Sequence, residues 1–372
     1  MRYFDSNATM PLCAAAKVAW EEALENLWLN PSSPYRAAAR VKTRLEDARS
    51  RVANLLGVNS ARVVFNSGAT EGNNSIFAYW STALPESARI GISPTEHPSV
   101  IESAKYYFGE RVEWLGLDPS GAVAIEAINF KEMDAISVMA ANHETGILNP
   151  WQEIANAAKN AGVLYHCDAS QWVGKGQLNK IGDCGYVTAC GHKFGGPQGV
   201  GFWVLPEVES NFIALHGGAQ ETGRRAGTEN VASILAMVAA LQVAKIGNVN
   251  GRDDLIAALP EFECVGLGAP RLWNTALLIA PKFASSRWIR ALEVRGFLVG
   301  SGAACATGKA GPSSVLEAMG YLPSAMSRTL RLSANAETTV KDWSDLADAV
   351  RVVYKELESE EAKQSLTTVI DL

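Results

Sequence analysis

Short apolar runs with strand composition alternate with helical stretches through the first two thirds of the chain. The predicted strands are residues 62–65, 89–92, 111–114, 135–139, 163–167, 186–190 and 199–205. Helices are predicted at residues 67–80 and 154–161, and a longer helix at 228–245 ends this part. Parallel strands need a connection long enough to hold a helix, whereas antiparallel strands can be joined by a tight turn. The alternation therefore predicts an α/β fold whose sheet is mostly parallel and is flanked by helices.

A glycine- and asparagine-rich stretch at residues 247–251 separates this part from a smaller α/β unit. The predicted elements of the smaller unit are strands 273–279 and 329–333 and helices 285–295, 313–319 and 338–357. A chain of 372 residues is long enough for two domains. We therefore predict a large domain over residues 1–250, whose N-terminal segment could pack with the small one, and a small domain over residues 251–372. The end of the chain, residues 358–372, is expected to be frayed or to dock elsewhere.

Charge, hydropathy and cysteine spacing exclude several classes of protein. With 33 basic and 39 acidic side chains, the net charge of −6 argues against a nucleic-acid backbone as the main partner. The chain has no run of 18 apolar residues and no apolar N-terminal segment, so neither a membrane helix nor a signal peptide is predicted. The six cysteines show no Cys-x-x-Cys spacing, so no metal site is expected, and a reducing, cytoplasmic setting is the simplest.

Polar side chains directly follow several predicted strands, which is where ligands bind in an open parallel sheet. The segment Ser67-Gly68-Ala69-Thr70 opens a helix, and the free N–H groups and dipole of a helix N terminus suit a phosphate. Taken alone, this segment fits an ordinary helix cap better. Asp168 ends an apolar strand, and Gln171 follows three residues later. The carboxylate of Asp168 could keep a ring nitrogen protonated or could cap the next helix, and the two interpretations are equally supported.

Three further strand ends carry candidate acid–base or binding groups. Asn142, in the segment Asn142-His143-Glu144-Thr145-Gly146, adds an amide after strand 135–139. A single histidine is usually structural, but His97 follows strand 89–92 beside a turn, which makes it an acid–base candidate. Lys193 lies among glycines between two apolar strands, which is not the setting of a solvated surface charge. Because desolvation makes a lysine nucleophilic, Lys193 is a candidate for a Schiff base with an electrophilic cofactor.

The smaller unit contributes an arginine and a cysteine. Arg331 lies in a short strand, where an arginine belongs either to a buried ion pair or to a fork that binds a substrate carboxylate. Cys305 lies in the run Gly300-Ser301-Gly302-Ala303-Ala304-Cys305-Ala306-Thr307-Gly308. Cysteine is most often a small buried hydrophobe, but these neighbours offer little apolar surface to bury it. The chain thus combines a candidate Schiff-base lysine with a thiol that could attack what a cofactor has activated.

In their order along the chain, these segments resemble the cysteine desulfurases, pyridoxal-phosphate enzymes of the class V aminotransferase group. The resemblance runs through Asp5-Ser6-Asn7-Ala8-Thr9, Asn30-Pro31-Ser32-Ser33, Ser67-Gly68-Ala69-Thr70-Glu71, Thr95-Glu96-His97, Asn142-His143-Glu144-Thr145-Gly146, His166-Cys167-Asp168-Ala169-Ser170-Gln171, Gly191-His192-Lys193, Arg225-Ala226-Gly227-Thr228-Glu229-Asn230, Ser301-Gly302-Ala303-Ala304-Cys305 and Arg331-Leu332-Ser333. Each segment alone is a weak signal, whereas ten in the same order are specific. The segment 301–316 resembles the type with a longer, mobile cysteine loop.

The resemblance implies pyridoxal 5'-phosphate as the cofactor, held in the large domain of an aminotransferase-like fold. Lys193 would bind the cofactor covalently and move the Cα proton of the substrate. Asp168 would pair with the ring nitrogen, and Gln171 would hydrogen-bond the phenolate oxygen. His97 would stack on the ring and handle protons.

The resemblance also assigns the phosphate and the substrate. The phosphate would be held by Thr70, by His192 and by Thr228 of the partner subunit of a homodimer, and Ala69 and Asn142 also belong to the implied cofactor site. Arg331 and Asn142 would hold the carboxylate of L-cysteine. Cys305 would attack the substrate sulfur, leaving alanine and a persulfide. The persulfide would pass to an acceptor protein, for which an iron–sulfur scaffold is one candidate. Cys190 departs from the family, which usually has a phosphate-binding serine there.

Two other interpretations remain open from the sequence. Another enzyme on the same scaffold, such as a selenocysteine lyase or an aminotransferase, would share most of these residues, although transamination needs no thiol. A non-catalytic scaffold protein would need none of the four residues Lys193, Asp168, His97 and Arg331, so their presence together argues against it. The leading prediction is therefore a homodimeric cysteine desulfurase.

Overall fold

The computed structural model describes residues 1–207, 211–302 and 313–370. Contacts within the chain define two compact units. The sheet unit comprises Thr9–Asn142 and Ile147–Ile246, and the terminal unit comprises Met1–Ala8, His143–Gly146 and Gly247–Leu372. The assignment of functional domains to these units stays a prediction.

The strands and helices alternate along most of the chain. The strands are β1 (Arg2–Phe4), β2 (Val63–Asn66), β3 (Ile90–Ile92), β4 (Val112–Trp114), β5 (Ala135–Ser137), β6 (Leu164–Asp168), β7 (Tyr186–Cys190), β8 (Gly201–Val204), β9 (Glu263–Cys264), β10 (Thr275–Ile279), β11 (Phe297–Val299) and β12 (Thr329–Ser333). The helices are α1 (Ala14–Asn26), α2 (Arg36–Leu56), α3 (Ala69–Ala83), α4 (Pro98–Phe108), α5 (Trp151–Ala161), α6 (Val231–Val243), α7 (Asn250–Ala258), α8 (Ser285–Val294), α9 (Ser314–Ala318), α10 (Pro323–Met326) and α11 (Val340–Ile370).

The sheet unit is built on a 7-stranded sheet in the order β2-β8-β7-β6-β5-β3-β4. The pairs β7-β6, β6-β5, β5-β3 and β3-β4 are parallel. The two pairs that β8 makes, with β2 and with β7, are antiparallel. Strands β3, β5 and β7 are buried along their whole length, which is why they read as apolar runs. The prediction of a mostly parallel sheet flanked by helices is confirmed.

Two helices of the sheet unit precede every element predicted there. Helix α2 buries Val41, Leu45, Ala48 and Val52, whose spacing of four, three and four residues places them on one helical face. Helix α1 packs against α6, the apolar helix at the end of the unit. No helix or strand was predicted before residue 62, although the spacing of the apolar residues in α2 was an available signal.

The terminal unit combines a three-stranded antiparallel sheet, in the order β12-β10-β9, with a parallel pair of strands, β1 and β11. The N-terminal residues belong to this unit because β1 pairs with β11 and Asp5 then bridges to Ser333 of β12. Helix α11 continues to Ile370, beyond the end predicted for it at residue 357. Among the residues that the structure describes, no helix is long and apolar enough to cross a membrane.

Candidate active site

Four strands of the sheet unit end at the same edge, and each delivers a residue predicted to be functional. Because β3, β5, β6 and β7 are parallel neighbours, their carboxyl ends lie side by side. His97 follows β3, Asn142 follows β5, Asp168 is the last residue of β6, and Lys193 follows β7. Lys193 ends the short 3-10 helix Gly191–Lys193, which turns the chain away from β7.

Asp168 is buried and is held by two hydrogen-bond donors. Its Oδ2 accepts from Asn73 Nδ2 at 2.9 Å, and its Oδ1 accepts from the backbone N–H of Ser170 at 2.9 Å. Asp168 therefore presents an oriented carboxylate at the edge of the sheet, and each oxygen retains a lone pair for a further donor.

His97 caps helix α4 and has a defined tautomer. Its Nδ1 accepts from the backbone N–H of Ser99 at 3.1 Å and lies 2.8 Å from Ser99 Oγ. Burial lowers the pKa of His97, and the nearby Lys193 lowers it further, against the opposing effect of Asp168. A neutral imidazole that accepts at Nδ1 carries its proton on Nε2. His97 is therefore a neutral ring at neutral pH, with its proton on Nε2.

Asn73 links Asp168 to His97 and was not predicted from the sequence. The side chain is fully buried on α3, and its Nδ2 donates to both Asp168 Oδ2 and Ser99 Oγ, at 2.9 and 2.8 Å. Its Oδ1 accepts from Thr188 Oγ1 at 2.7 Å. Its position three residues after Thr70, on the same face of the helix, was the available signal. Asn73 thus couples the orientation of Asp168 to that of His97, through Ser99.

Helix α3, Cys190 and His192 are the elements that the resemblance associates with the phosphate. Gly68 precedes α3 with φ of +139°, and a Cβ built on it would lie 3.9 Å from Cys190 Cβ, so the two face each other. The first N–H groups of a helix have no partner within the helix, and the helix dipole favours negative charge there. Burial lowers the pKa of His192 to about 4, with Lys193 and Lys175 acting in the same direction, so its ring is neutral. Its Nδ1 lies 3.3 Å from Thr9 Oγ1.

We expect Cys190→Ser to hold the cofactor at least as well as the unchanged protein. Burial raises the pKa of the Cys190 thiol to about 11, so it is neutral, and a neutral thiol is a weak hydrogen-bond donor. A hydroxyl of similar size is a better donor to a phosphate. Fluorescence titration with pyridoxal phosphate should give an equal or lower dissociation constant. Weaker retention would mean that Cys190 has a role that the surrounding contacts do not reveal, and Cys184→Ser, buried in the same unit, is the control.

Gln171 and Asn142 are both buried at this edge, as predicted site residues should be. Gln171 Oε1 accepts from Lys175 Nζ at 2.5 Å, and Lys175 is itself fully buried. Asn142 Nδ2 donates to the backbone carbonyl of Thr95 at 3.0 Å. Lys175 was missed, although it follows Gln171 by four residues. Lys175 also helps to lower the pKa of His192, so it acts on the same part of the site.

A second buried carboxyl, Glu96, lies near Asp168 and was also not predicted. Its Oε1 accepts from the backbone N–H of Met139 at 2.5 Å. Burial raises the pKa of Glu96 well above its usual range, and the charge of Asp168 raises it further. Both effects favour the protonated form of Glu96.

Thr228 is exposed, outside the group at the strand ends. It lines a cavity of about 240 Å³ together with Ser67 and Arg225. Arg225 pairs with Glu71 in the first turn of α3 at 3.0 Å, and the backbone N–H of Ser67 donates to the same carboxylate. Thr70, the second residue of α3, is also exposed. Exposure leaves both hydroxyl groups accessible to a ligand or to another subunit.

Arg331 lies in the terminal unit, on β12, and is almost completely buried. Its Nη2 lies 2.6 Å from Asp5 Oδ1, and its Nη1 donates to the backbone carbonyl of His143 at 3.3 Å. Its Nε is buried, with no hydrogen-bond partner among the described residues. A buried guanidinium N–H without an acceptor lowers the stability of the fold unless a ligand accepts its hydrogen bond. Cys305, the predicted nucleophile, lies outside the described residues.

The comparisons with known proteins agree on one family. The aminotransferase class-V family matches residues 2–346. Cysteine desulfurase 2 of Trichormus variabilis is 33% identical over 353 residues, which cover 91% of this chain and 89% of that protein. Among solved structures, a NifS-like protein has a TM-score of 0.86 at 26% identity, over 96% of this chain and 100% of that one. The structure of SspA in complex with cysteine has a TM-score of 0.81 at 25% identity, over 91% of this chain and 100% of that one.

These matches confirm the resemblance read from the sequence motifs. The family match and the curated relative each span most of the chain, so the similarity is not confined to one shared unit. Together they show that this chain belongs to the aminotransferase class-V family and, within it, to the cysteine desulfurases.

Proposed function

We propose that this chain removes sulfur from L-cysteine with the help of pyridoxal 5'-phosphate, leaving alanine and a persulfide on Cys305. The observation that supports this most directly is the meeting of Asp168, His97 and Lys193 at the carboxyl edge of one parallel sheet. The related SspA was solved in complex with cysteine, which supports the same substrate here.

The residues at the sheet edge fit this cofactor. Asp168 offers oriented carboxylate oxygens to a protonated ring nitrogen, and the neutral His97 ring can stack without adding charge. The N terminus of α3 and His192 offer donors to a phosphate. These groups match the three parts of the cofactor that a protein must hold: the ring nitrogen, the ring face and the phosphate.

When bound, the cofactor supplies an electron sink that weakens the bonds around the Cα atom of the substrate. Lys193 would hold it covalently and move the Cα proton of the substrate. Asp168 would keep the ring nitrogen protonated, and Gln171 would hydrogen-bond the phenolate oxygen. The neutral His97, with its proton on Nε2, can donate that proton or accept one as the reaction requires.

The remaining roles concern the substrate. Arg331 and Asn142 would bind its carboxylate, with the unsatisfied Nε of Arg331 as one donor. The Cys305 thiolate would attack the substrate sulfur, so that an S–S bond forms as the Cβ–S bond breaks. Proton transfer to the carbon then yields alanine.

The experiment that tests this function is quantitative product analysis with L-cysteine and a reductant. Alanine and sulfide should appear in equal amounts. Formation of an oxo acid with an amino acceptor would instead support an aminotransferase. A strong preference for selenocysteine over cysteine would support a selenocysteine lyase.

We propose a homodimer in which Thr228 of the partner subunit contacts the phosphate. The exposed hydroxyl of Thr228 beside the first turn of α3 supports this arrangement. If both subunits contact the phosphate, binding of the cofactor and formation of the dimer stabilise each other. Thr228→Ala is expected to weaken cofactor binding about tenfold, the value of one hydrogen bond to a charged group, without dissociating the dimer. Thr82→Ala, exposed at the other end of α3, is the control.

Sedimentation and cofactor titration together test this proposal. A monomer that holds the cofactor tightly would contradict it. The persulfide is expected to pass to an acceptor protein in the cytoplasm, for example an iron–sulfur scaffold. Transfer of labelled sulfur from the loaded enzyme would identify that acceptor.

A further inference from the structure

A buried carboxylate in the terminal unit lies where the segment that contains Cys305 begins and ends. Glu144 Oε2 accepts a hydrogen bond of 2.6 Å from Ser313 Oγ. A Cβ built on Gly302 would lie 3.3 Å from the same oxygen. Glu144 and Ser313 are both buried. The two residues that flank positions 303–312 therefore both lie beside one carboxylate oxygen, and Ser313 donates a hydrogen bond to it.

Further contacts fix each flank in place. On the N-terminal side, Gly300 pairs with Arg331 through two backbone hydrogen bonds of 3.0 and 2.8 Å, and Thr329 Oγ1 donates to the Ser301 carbonyl at 2.5 Å. Gly302 has φ of +89°, and its Cβ position would lie 3.1 Å from Leu277 Cδ1. A larger residue there would be strained and crowded.

On the C-terminal side, the Ser313 hydroxyl serves two partners. It donates to Glu144 and accepts from the backbone N–H of Leu316 at 3.1 Å, which caps helix α9. Burial raises the pKa of Glu144, whereas the Ser313 hydrogen bond and the Arg331 charge lower it. The other oxygen, Oε1, lies 3.8 Å from His143 Nε2. In such surroundings, a carboxyl group that loses its donor carries a desolvation penalty, so the contact with Ser313 is maintained.

We propose that Glu144 is a positioning residue that holds Ser313, and with it the C-terminal flank, beside the N-terminal flank, and so promotes sulfur transfer to Cys305. The consequence for sulfur transfer rests on the function proposed above. A segment held at both ends samples fewer conformations than one held at one end. We therefore expect loss of the contact between Glu144 and Ser313 to slow sulfur transfer to Cys305.

The first test needs neither cofactor nor substrate. Lys309 lies between the two flanks and is a trypsin site. Ser313→Ala should raise the rate of cleavage after Lys309 about tenfold, because one buried hydrogen bond to a carboxylate contributes about this factor. Ser313→Thr keeps the hydroxyl and should restore slow cleavage. Ser285→Ala, which removes a hydroxyl that donates to the Ser327 carbonyl in the same unit, is the control.

The second test measures persulfide formation on Cys305 by rapid quench and mass spectrometry. Ser313→Ala should slow it about tenfold, while the spectral change on mixing with cysteine stays as fast as in the unchanged protein. Glu144→Gln, which keeps the size of the side chain, should slow it severalfold, because a neutral acceptor forms the weaker hydrogen bond. The double variant should be no slower than Ser313→Ala, since both changes break one contact.

The two readouts separate the possible failures. If the unchanged protein forms no persulfide with cysteine, the proposed function fails, and the cleavage rates still decide whether Glu144 holds the flanks. If either the cleavage rate or the rate of persulfide formation is unaltered in both Ser313→Ala and Glu144→Gln, the positioning role of Glu144 is overturned.

Discussion

Replacing Lys193 with alanine is expected to abolish alanine production from cysteine while leaving the fold intact. The residue would bind the cofactor covalently and carry the proton at Cα, and removal of a general base alone costs about two to four orders of magnitude. Borohydride should link the cofactor to the unchanged protein at Lys193 and leave the variant unlabelled. The yellow colour of the bound cofactor should shift or fade for the same reason.

The fold should tolerate this change because Lys193 ends a short 3-10 helix and its side chain is only half-buried. A difference of about 1 kcal/mol would move the unfolding midpoint by about 4 °C or less in a chain of this size. Lys159→Ala, exposed in the last turn of α5, is the matched control and should retain full activity. Normal alanine production by Lys193→Ala would refute the assignment.

Replacing Cys305 with alanine is expected to eliminate sulfur transfer without preventing substrate binding. The thiolate is the reactive form of cysteine, and an accessible cysteine near a cationic site has a larger thiolate fraction than a buried one. Of the other five cysteines, four are buried and Cys13 is half-buried. In the unchanged protein, cysteine should add one sulfur to the tryptic peptide that contains Cys305. In Cys305→Ala, the spectral change on mixing with cysteine should persist while alanine formation falls to background.

Cys13→Ala is the control for this experiment, because it removes the most accessible of the other thiols and only a weak helix cap. It should leave persulfide formation unchanged. A persulfide found on any other cysteine, or full desulfuration by Cys305→Ala, would overturn the proposed mechanism.

The positions of the main candidate residues could be predicted because they depend on local pattern and on one topological rule. Short apolar runs alternating with helices indicated parallel strands, and parallel neighbours bring their carboxyl ends to one edge. Asp168, His97, Asn142 and Lys193 could therefore be placed together before their distances were known. The N terminus of α3 could be assigned in the same way, since a helix that follows a strand begins at this edge.

Residues that support the site were harder to predict because their chemistry depends on packing. Asn73 reads as one of two adjacent asparagines in a helix, and only its burial against β6 and β7 turns its amide toward Asp168 and Thr188. Lys175 and Glu96 read as ordinary surface charges. Their burial, which places Lys175 beside Gln171 and raises the pKa of Glu96, follows from the sheet and helices that cover them.

The sequence by itself determined the family, the mostly parallel sheet and the order of the motifs along the chain, because these depend on periodicity and on residues adjacent in sequence. Only the tertiary structure decided which partners each group has. Asp5 and Arg331 are 326 residues apart and pair at 2.6 Å, and Glu144 meets Ser313 from 169 residues away. Periodicity carries no information on such pairs, because they form only after the strands and helices between them have packed and excluded water.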